Sequence, residues 1–427
     1  MHSFGAVTKM EQTTPMSLTL FANAHIIDGT TSEPGAPVHV LVENDRIREV
    51  SEHKITSDSA RVIDLKGGTL MPGLIDCHVH VVAGLVNLGQ NALLPDAIVA
   101  FHAARIMKGM LARGFTTVRD VGGATFALAD AVRQGLVDGP RLIVCGKALS
   151  QTGGHADFRG NYDNRDPGYQ TTRLGSLGRI CDGVDACRHA ARDEIRQGAQ
   201  FIKIMANGGV ASPTDPIAFL GFSNDEIGAI VEEARNAQTY VSAHLYTDEA
   251  IARAVELGVR SVEHANLIED KTAALMKERG AIACPTLVTY EALKNEGASL
   301  GLPETSVAKI DDVRLRGIES LDIMRRAGVT MAFGTDLLGE MHRHQSEEFV
   351  IRGRVLPAAE VIRSATADAA ELIGMTGEVG TVAPGAYADL VVVDGNPLTD
   401  LSLLTGQGRH MPLIMKSGQF IKNELNH

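Results

Sequence analysis

Residues 71–81 read Met-Pro-Gly-Leu-Ile-Asp-Cys-His-Val-His-Val. A short apolar run ends in two histidines spaced two apart. On a strand, positions i and i+2 share a face, so His78 and His80 would present both imidazoles together. Imidazole suits Zn²⁺, and two rings on one face can grip one ion. Alone, the pair is a weak signal that fits a surface or packed-core position better, so its meaning depends on what the rest of the chain places beside it.

Outward from this stretch, short apolar runs recur at 116–121, 141–145, 200–205, 240–244, 261–264, 281–286 and 329–336. Helical patterns at 97–113, 184–197, 224–238, 249–256 and 271–279 separate most of them. Ser223 with Glu226 three positions on reads as a helix-capping pair, while Gly114, Gly198, Gly258, Gly280 and Gly328 stand where helices would end before the next strand. A repeated strand–helix unit, eight times over about 260 residues, predicts an α/β fold in which a (β/α)8 TIM barrel closes on itself. An open doubly wound sheet is the rival. No GxGxxG motif opens a helix after a strand, which argues against a dinucleotide site.

The flanks have another texture. Segments 17–27, 38–50 and 61–65 are rich in β-branched and apolar residues, broken by turn signals at Asp28-Gly29, Asn44-Asp45 and Lys66-Gly67-Gly68. The C-terminal end returns to it at 387–394 and 412–422, with Ser417-Gly418 as a hairpin tip. The expected organisation is therefore a small β-sandwich built from 1–70 and 380–427, enclosing a barrel over 71–379.

The chain has 427 residues, with 40 Lys and Arg against 52 Asp and Glu, a formal charge of −12. Apolar residues are 44 % and charged ones 22 %, the balance of an ordinary globular protein. An acidic chain lacks the basic face of a nucleic-acid binder, and no apolar run approaches the roughly 20 residues that span a bilayer. Residues 1–21 show no basic start followed by a long apolar stretch, so no secretory leader is read. Cys77, Cys145, Cys181, Cys187 and Cys284 are odd in number and scattered, which suits a reducing cytoplasm. Cys181 and Cys187 lack the tight spacing of a zinc ribbon.

In a parallel barrel, chemistry sits at the C-terminal strand ends. There this sequence places His78 and His80 on strand one, Lys203 on strand four, His244 on strand five, His264 on strand six and Asp336 on strand eight. A single core histidine is common; four at one rim are not. Lys203 lies in an apolar strand, where a lone ammonium is costly, and a depressed pKa would free its amine to form a carbamate with CO₂. The bland alternative is a snorkelling or ion-paired lysine. Asp336 would be either a helix cap or a ligand that also shuttles a proton.

These residues, in this order and on these strands, resemble the metal-dependent amidohydrolase superfamily. The resemblance extends over nearly the whole chain, from the entry DLKGGTLMPGLID to the exit GEVGTVAPGAYADLVVVDGNPL. Within it, TGGHADF, KIMANGG and AHLYTDEAI resemble the branch of Xaa-Pro dipeptidases and related carboxypeptidases. Amidohydrolases of ochratoxin-like N-acyl amino acids are similar, and imidazolonepropionase more distantly so. The resemblance implies two divalent ions, expected to be zinc, although Mn²⁺ or Co²⁺ would suit the same ligands. His78, His80 and Asp336 would hold one and His244 and His264 the other, with carboxylated Lys203 and a hydroxide bridging them. It also implies that His155 and Tyr246 bind the substrate's carboxylate or polarise its scissile carbonyl; a loop-bracing imidazole and a helix-entry phenol are the alternatives.

The function expected is hydrolysis of the amide bond of a dipeptide or N-acyl amino acid bearing a free carboxylate. Ring-opening of a cyclic amide or lactone on the same ions is the second choice. A non-catalytic scaffold should have lost ligands, and none is missing. The expected partner is thus a small molecule, with neither nucleic acid nor membrane, and relatives suggest a homo-oligomer. His342, Arg343, His344, Glu347 and Glu348 would line the mouth or form a solvated loop, with His344 as a substrate contact. Lys147 and Arg159 would attract an anion, and Arg119-Asp120 would be a structural ion pair. Segment 211–222 is a lid candidate. Phe158, Tyr162, Tyr169, Phe219, Phe222 and Tyr290 are loop aromatics able to receive an aromatic group.

Overall fold

Residues 17–425 are described by the computed structural model; the segment read for a leader therefore lies largely outside the described residues, as do positions 1–16 of the expected β-sandwich. The barrel begins with strand one, Leu74–Val79, buried along its whole length. Strand two, Phe115–Asp120, pairs with it in parallel and then with strand three, Arg141–Val144. The Gln200 amide donates to the Val144 carbonyl at 2.8 Å and leads into strand four, Ile202–Met205. Strands five, Val241–Thr247, six, Ser261–Leu267, and seven, Ile282–Cys284, follow in parallel register.

Residues 329–336 complete the ring as the eighth strand. The Ala332 amide donates to the Ala283 carbonyl at 2.8 Å, and on the other side the Cys77 amide donates to the Phe333 carbonyl at 2.7 Å. Strands covered on both faces read as continuous apolar runs rather than alternating ones, which is why they stand out in the sequence.

Helices Asp96–Ala112, Val184–Arg196, Asn224–Asn236, Asp248–Glu256 and Asp270–Arg279 lie where the periodicity predicts them. Ser223 and Glu226 form the reciprocal cap at the start of the third. Gly280 and Gly328 end their helices at φ 67° and 72°, a left-handed turn without a side-chain penalty. Further helices, Phe126–Arg133 and Ile310–Ala327 among them, were not separated from their surroundings in the sequence pattern. After strand three an additional parallel pair, Ala148–Ser150 with Gly178–Ile180, carries the intervening loop over the barrel mouth.

The two ends of the described chain meet in β structure. Strand Leu18–Ile26 serves two leaves: Leu18–Ala24 pairs with Val38–Glu43, and Thr19–Ala22 with Arg61–Asp64, whereas His25 and Ile26 pair with Thr69–Pro72. A bulge between Phe21 and Ala24 makes the change of partner. Thr69–Pro72 in turn pairs antiparallel with Leu390–Val393, which pairs with Leu413–Lys416 and so with Gln419–Asn423. Phe21, Val40, Ile63, Leu70, Leu390 and Leu413 fill the core between the leaves. No helix among the described residues is long and apolar enough to cross a membrane.

Candidate active site

The strand ends of the barrel converge on one cavity. His78, His80, His155, Lys203, His244, Tyr246, His264 and Asp336 all line it. A ring nitrogen of His78, one of His264 and an oxygen of Asp336 lie within 4.8 Å of one another. Ring centroids are 4.8 Å apart for His78 and His264, and 4.7 Å for His244 and His264. Asp336 Oδ1 is 3.4 Å from Nε2 of His78 and 3.3 Å from Nε2 of His80.

Each histidine has one nitrogen engaged by the scaffold. His78 Nδ1 donates to Glu263 Oε2 at 2.8 Å, and His80 Nδ1 to the Gly122 carbonyl at 2.9 Å. His264 Nδ1 is 2.7 Å from Thr286 Oγ1, and His244 Nε2 donates to the Gly208 carbonyl at 3.2 Å. Committing Nδ1 of His78 and His80 to an acceptor fixes their tautomer and turns Nε2 towards Asp336 and the cavity, the arrangement that orients a metal-binding ring. His264 and Asp336 also hold left-handed backbone at φ 72° and 53°. Such geometry is costly for residues with a Cβ and is concentrated at functional positions.

Charge is as deliberately placed. Lys203 is buried, and its Nζ has no hydrogen-bond partner among the described residues. Burial lowers its pKa, against the pull of Glu263. Burial would raise the Asp336 carboxyl, but the neighbouring His78, His80 and His264 hold it well below the carboxylate range. Burial, then the positive field of neighbouring rings and Lys203, keep His244 and His264 neutral, the state in which imidazole binds metal. An unpaired buried amine among imidazoles and a carboxylate is a donor set that fits divalent metal.

Glu263 was not singled out in the sequence. It takes two hydrogen bonds from Arg119 Nη2, at 2.7 and 2.9 Å, and one from Ser242 at 2.6 Å. Arg119 thus pairs with Glu263 and not with its neighbour Asp120, which instead accepts the amides of Val81, Gly122 and Ala124. A charged residue one position before His264 in a buried strand was the available signal. Asp215 and Ser212, which touch His155 from within segment 211–222, were missed because SPTDP reads as an ordinary turn.

Other expected contacts lie elsewhere. His344 sits between Glu296 Oε1 at 2.7 Å and Glu347 Oε1 at 2.8 Å and does not line the cavity. Arg343 pairs with Glu296, and Glu348 with Arg352. Lys147 Nζ is spent on the carbonyls of Arg173 and Ser176, and Arg159 pairs with Asp157. Of the loop aromatics, Phe158 and Tyr290 line the cavity, whereas Tyr162, Tyr169 and Phe219 are exposed and Phe222 is buried in the core.

A closed barrel with this mouth is the framework of a hydrolase. The chain belongs to the amidohydrolase family, whose pattern matches residues 69–419 and whose members are generally metal-dependent. It is similar to a solved amidohydrolase at 54 % identity and a TM-score of 0.94, covering 96 % of this chain and all of that one. A prolidase solved with N-methylphosphonate-L-proline is 50 % identical, with a TM-score of 0.94, over 95 % of this chain and all of the other. Ochratoxinase of Aspergillus niger is 32 % identical over 83 % of this chain and 75 % of its own length.

Proposed function

We propose that the chain is a binuclear metal-dependent hydrolase of amides flanked by a free carboxylate, such as dipeptides or N-acyl amino acids. The observation that carries this reading is the unpaired Lys203 Nζ within the ring formed by His78, His80, His244, His264 and Asp336. His78, His80 and Asp336 would hold one cation, and His244 and His264 the other, with Lys203 as a carbamate between them. When bound, such a pair polarises a carbonyl and brings the pKa of water towards neutrality; zinc is the proposed metal. The prolidase solved with a prolyl phosphonate and the ochratoxinase support the choice of substrate class.

The remaining steps belong to the chain's own groups. Asp336, ionised between His78 and His80, accepts the proton of the attacking water and returns it to the departing nitrogen. His155 stacks on His244 at 4.1 Å, and Tyr246 stands edge-on to the same ring at 4.6 Å. These two would orient the substrate's carboxylate and scissile carbonyl. The Tyr246 oxygen accepts from the Tyr290 hydroxyl at 2.9 Å, leaving its own hydrogen for the substrate. Apolar Phe158, Leu293 and Leu338 line the cavity and suit an uncharged side chain. Five buried free thiols accord with a cytoplasmic location.

The test is a panel of dipeptides, N-acyl amino acids, lactones and imidazolones, run with zinc-loaded protein and again after chelation. Turnover of the carboxylate-bearing amides, lost with the metal and restored by zinc, is expected. Turnover confined to ring-opening would overturn the reading.

A further inference from the structure

His155 lies on a loop whose backbone alone would leave its ring free to rotate. The ring is held from segment 208–216, after strand four. His155 Nδ1 is 2.6 Å from Ser212 Oγ and 3.2 Å from Asp215 Oδ2. The Ser212 hydroxyl has one hydrogen, and it is donated to Asp215 Oδ1. Toward His155, therefore, Ser212 can only accept, and an ionised carboxylate can only accept. Both neighbours require a proton on Nδ1, which leaves Nε2 as the nitrogen available to substrate.

The holding group is itself held. Asp215 is buried at 2 % exposure, and its Oδ2 accepts the Gly209 amide at 2.9 Å. Lys309, at the start of the helix after strand seven, donates through Nζ to the carbonyls of Ser212 at 2.8 Å and Asp215 at 3.2 Å, and also to that of Gly209. The turn is thereby fixed from a βα unit three strands further round the barrel. Gly209 allows the close approach: a Cβ there would lie 2.0 Å from the His155 ring.

We propose that Asp215 is a positioning residue for His155, holding its proton on Nδ1 and its ring against His244 so that Nε2 is presented to the substrate. The consequence for turnover rests on the hydrolase reading above; the tautomer does not.

The experiment combines a double-mutant cycle with nuclear magnetic resonance of histidine-labelled protein. Asp215→Ala should lower kcat/KM by about 100-fold, the scale of loss when a reacting group is misplaced. In a His155→Gln background the same change should cost no more than about threefold, because residues acting as a unit are not additive. Asp215→Asn keeps an acceptor for Nδ1 and for the Gly209 amide, and should restore most of the loss. The Nδ1-protonated signal that disappears in His155→Gln should persist in Asp215→Asn and be lost or averaged in Asp215→Ala. Ser212→Ala, a milder cut of the same contact, should likewise lose its effect in the His155→Gln background and keeps the test open if Asp215→Ala does not fold. Equal losses in both backgrounds, or an unchanged Nδ1 signal in Asp215→Ala, would overturn the proposal. Absence of wild-type turnover on carboxylate-bearing amides would instead overturn the reading of function, and the resonance experiment would still decide the role of Asp215.

Discussion

Glu263 Oε2 lies 2.8 Å from Nδ1 of His78, with both side chains buried. The contact turns the opposite nitrogen of the ring towards Asp336. Carboxylates behind metal-binding histidines raise ligand basicity, and their loss typically costs 10–100-fold in metal affinity. Glu263→Gln should weaken zinc binding by that factor in a chelator competition. It also leaves the Arg119 guanidinium without its counter-charge, so about 3–5 kcal/mol of stability should be lost in denaturant unfolding. Unchanged zinc affinity would show that His78 is not oriented for metal through this contact.

Lys203 gives the opposite stability result. Its amine is buried without a hydrogen-bond partner among the described residues. Lys203→Met fills similar space with an apolar chain. Zinc content and hydrolysis should fall together, while the Tm of metal-free protein stays level or rises. A drop of several degrees in the metal-free form would mean that the ammonium is stabilised where it sits.

His342 sets an acid-sensitive component of stability. Burial, followed by the nearby Arg113 charge, lowers its pKa to about 3. In the unfolded chain an ordinary histidine titrates near 6.5, so below that pH the unfolded form takes up a proton that the folded form refuses. Stability is thus lost as pH falls from about 6.5 towards 3, at a slope approaching 1.4 kcal/mol per pH unit for this group. His342→Gln should flatten unfolding free energies measured at pH 7, 6 and 5 relative to the wild type. Parallel curves would refute the assignment.

Much of this is legible in the sequence itself. The spacing of His78 and His80, the glycines that end helices, and the recurrence of buried strands all express local rules, and Gly280 and Gly328 adopt the left-handed turn their positions predicted. The partner of Arg119 was not readable. Glu263 lies in another strand, and only closure of the barrel brings the two together. Asp215 failed for a related reason: its function is to touch a loop 60 residues earlier in the chain, and turn-forming sequence hides such a contact. His344 was overread because histidines near a barrel mouth look alike until the acidic neighbours of each are known.

Two glycines make a paired control. Gly209→Ala would place a Cβ 2.0–2.4 Å from atoms of the His155 ring and should cut kcat/KM by about 100-fold through that displacement. Gly228, within helix Asn224–Asn236, has nothing within 4 Å of a Cβ. Gly228→Ala should leave kinetics intact and add about 0.5–1 kcal/mol of stability by chemical denaturation. Equal kinetics for both variants would show that the loop absorbs the added methyl.

The strand Thr69–Pro72 has a consequence for synthesis. Its antiparallel neighbour, Leu390–Val393, leaves the ribosome only after the entire barrel has been translated. At about 5–20 residues per second, one edge of the nascent assembly stays open for roughly 15–60 seconds. During that interval it can capture strands from other newborn chains. Premature stop codons shortly before Leu390 are therefore expected to yield inclusion bodies rather than a shortened working enzyme.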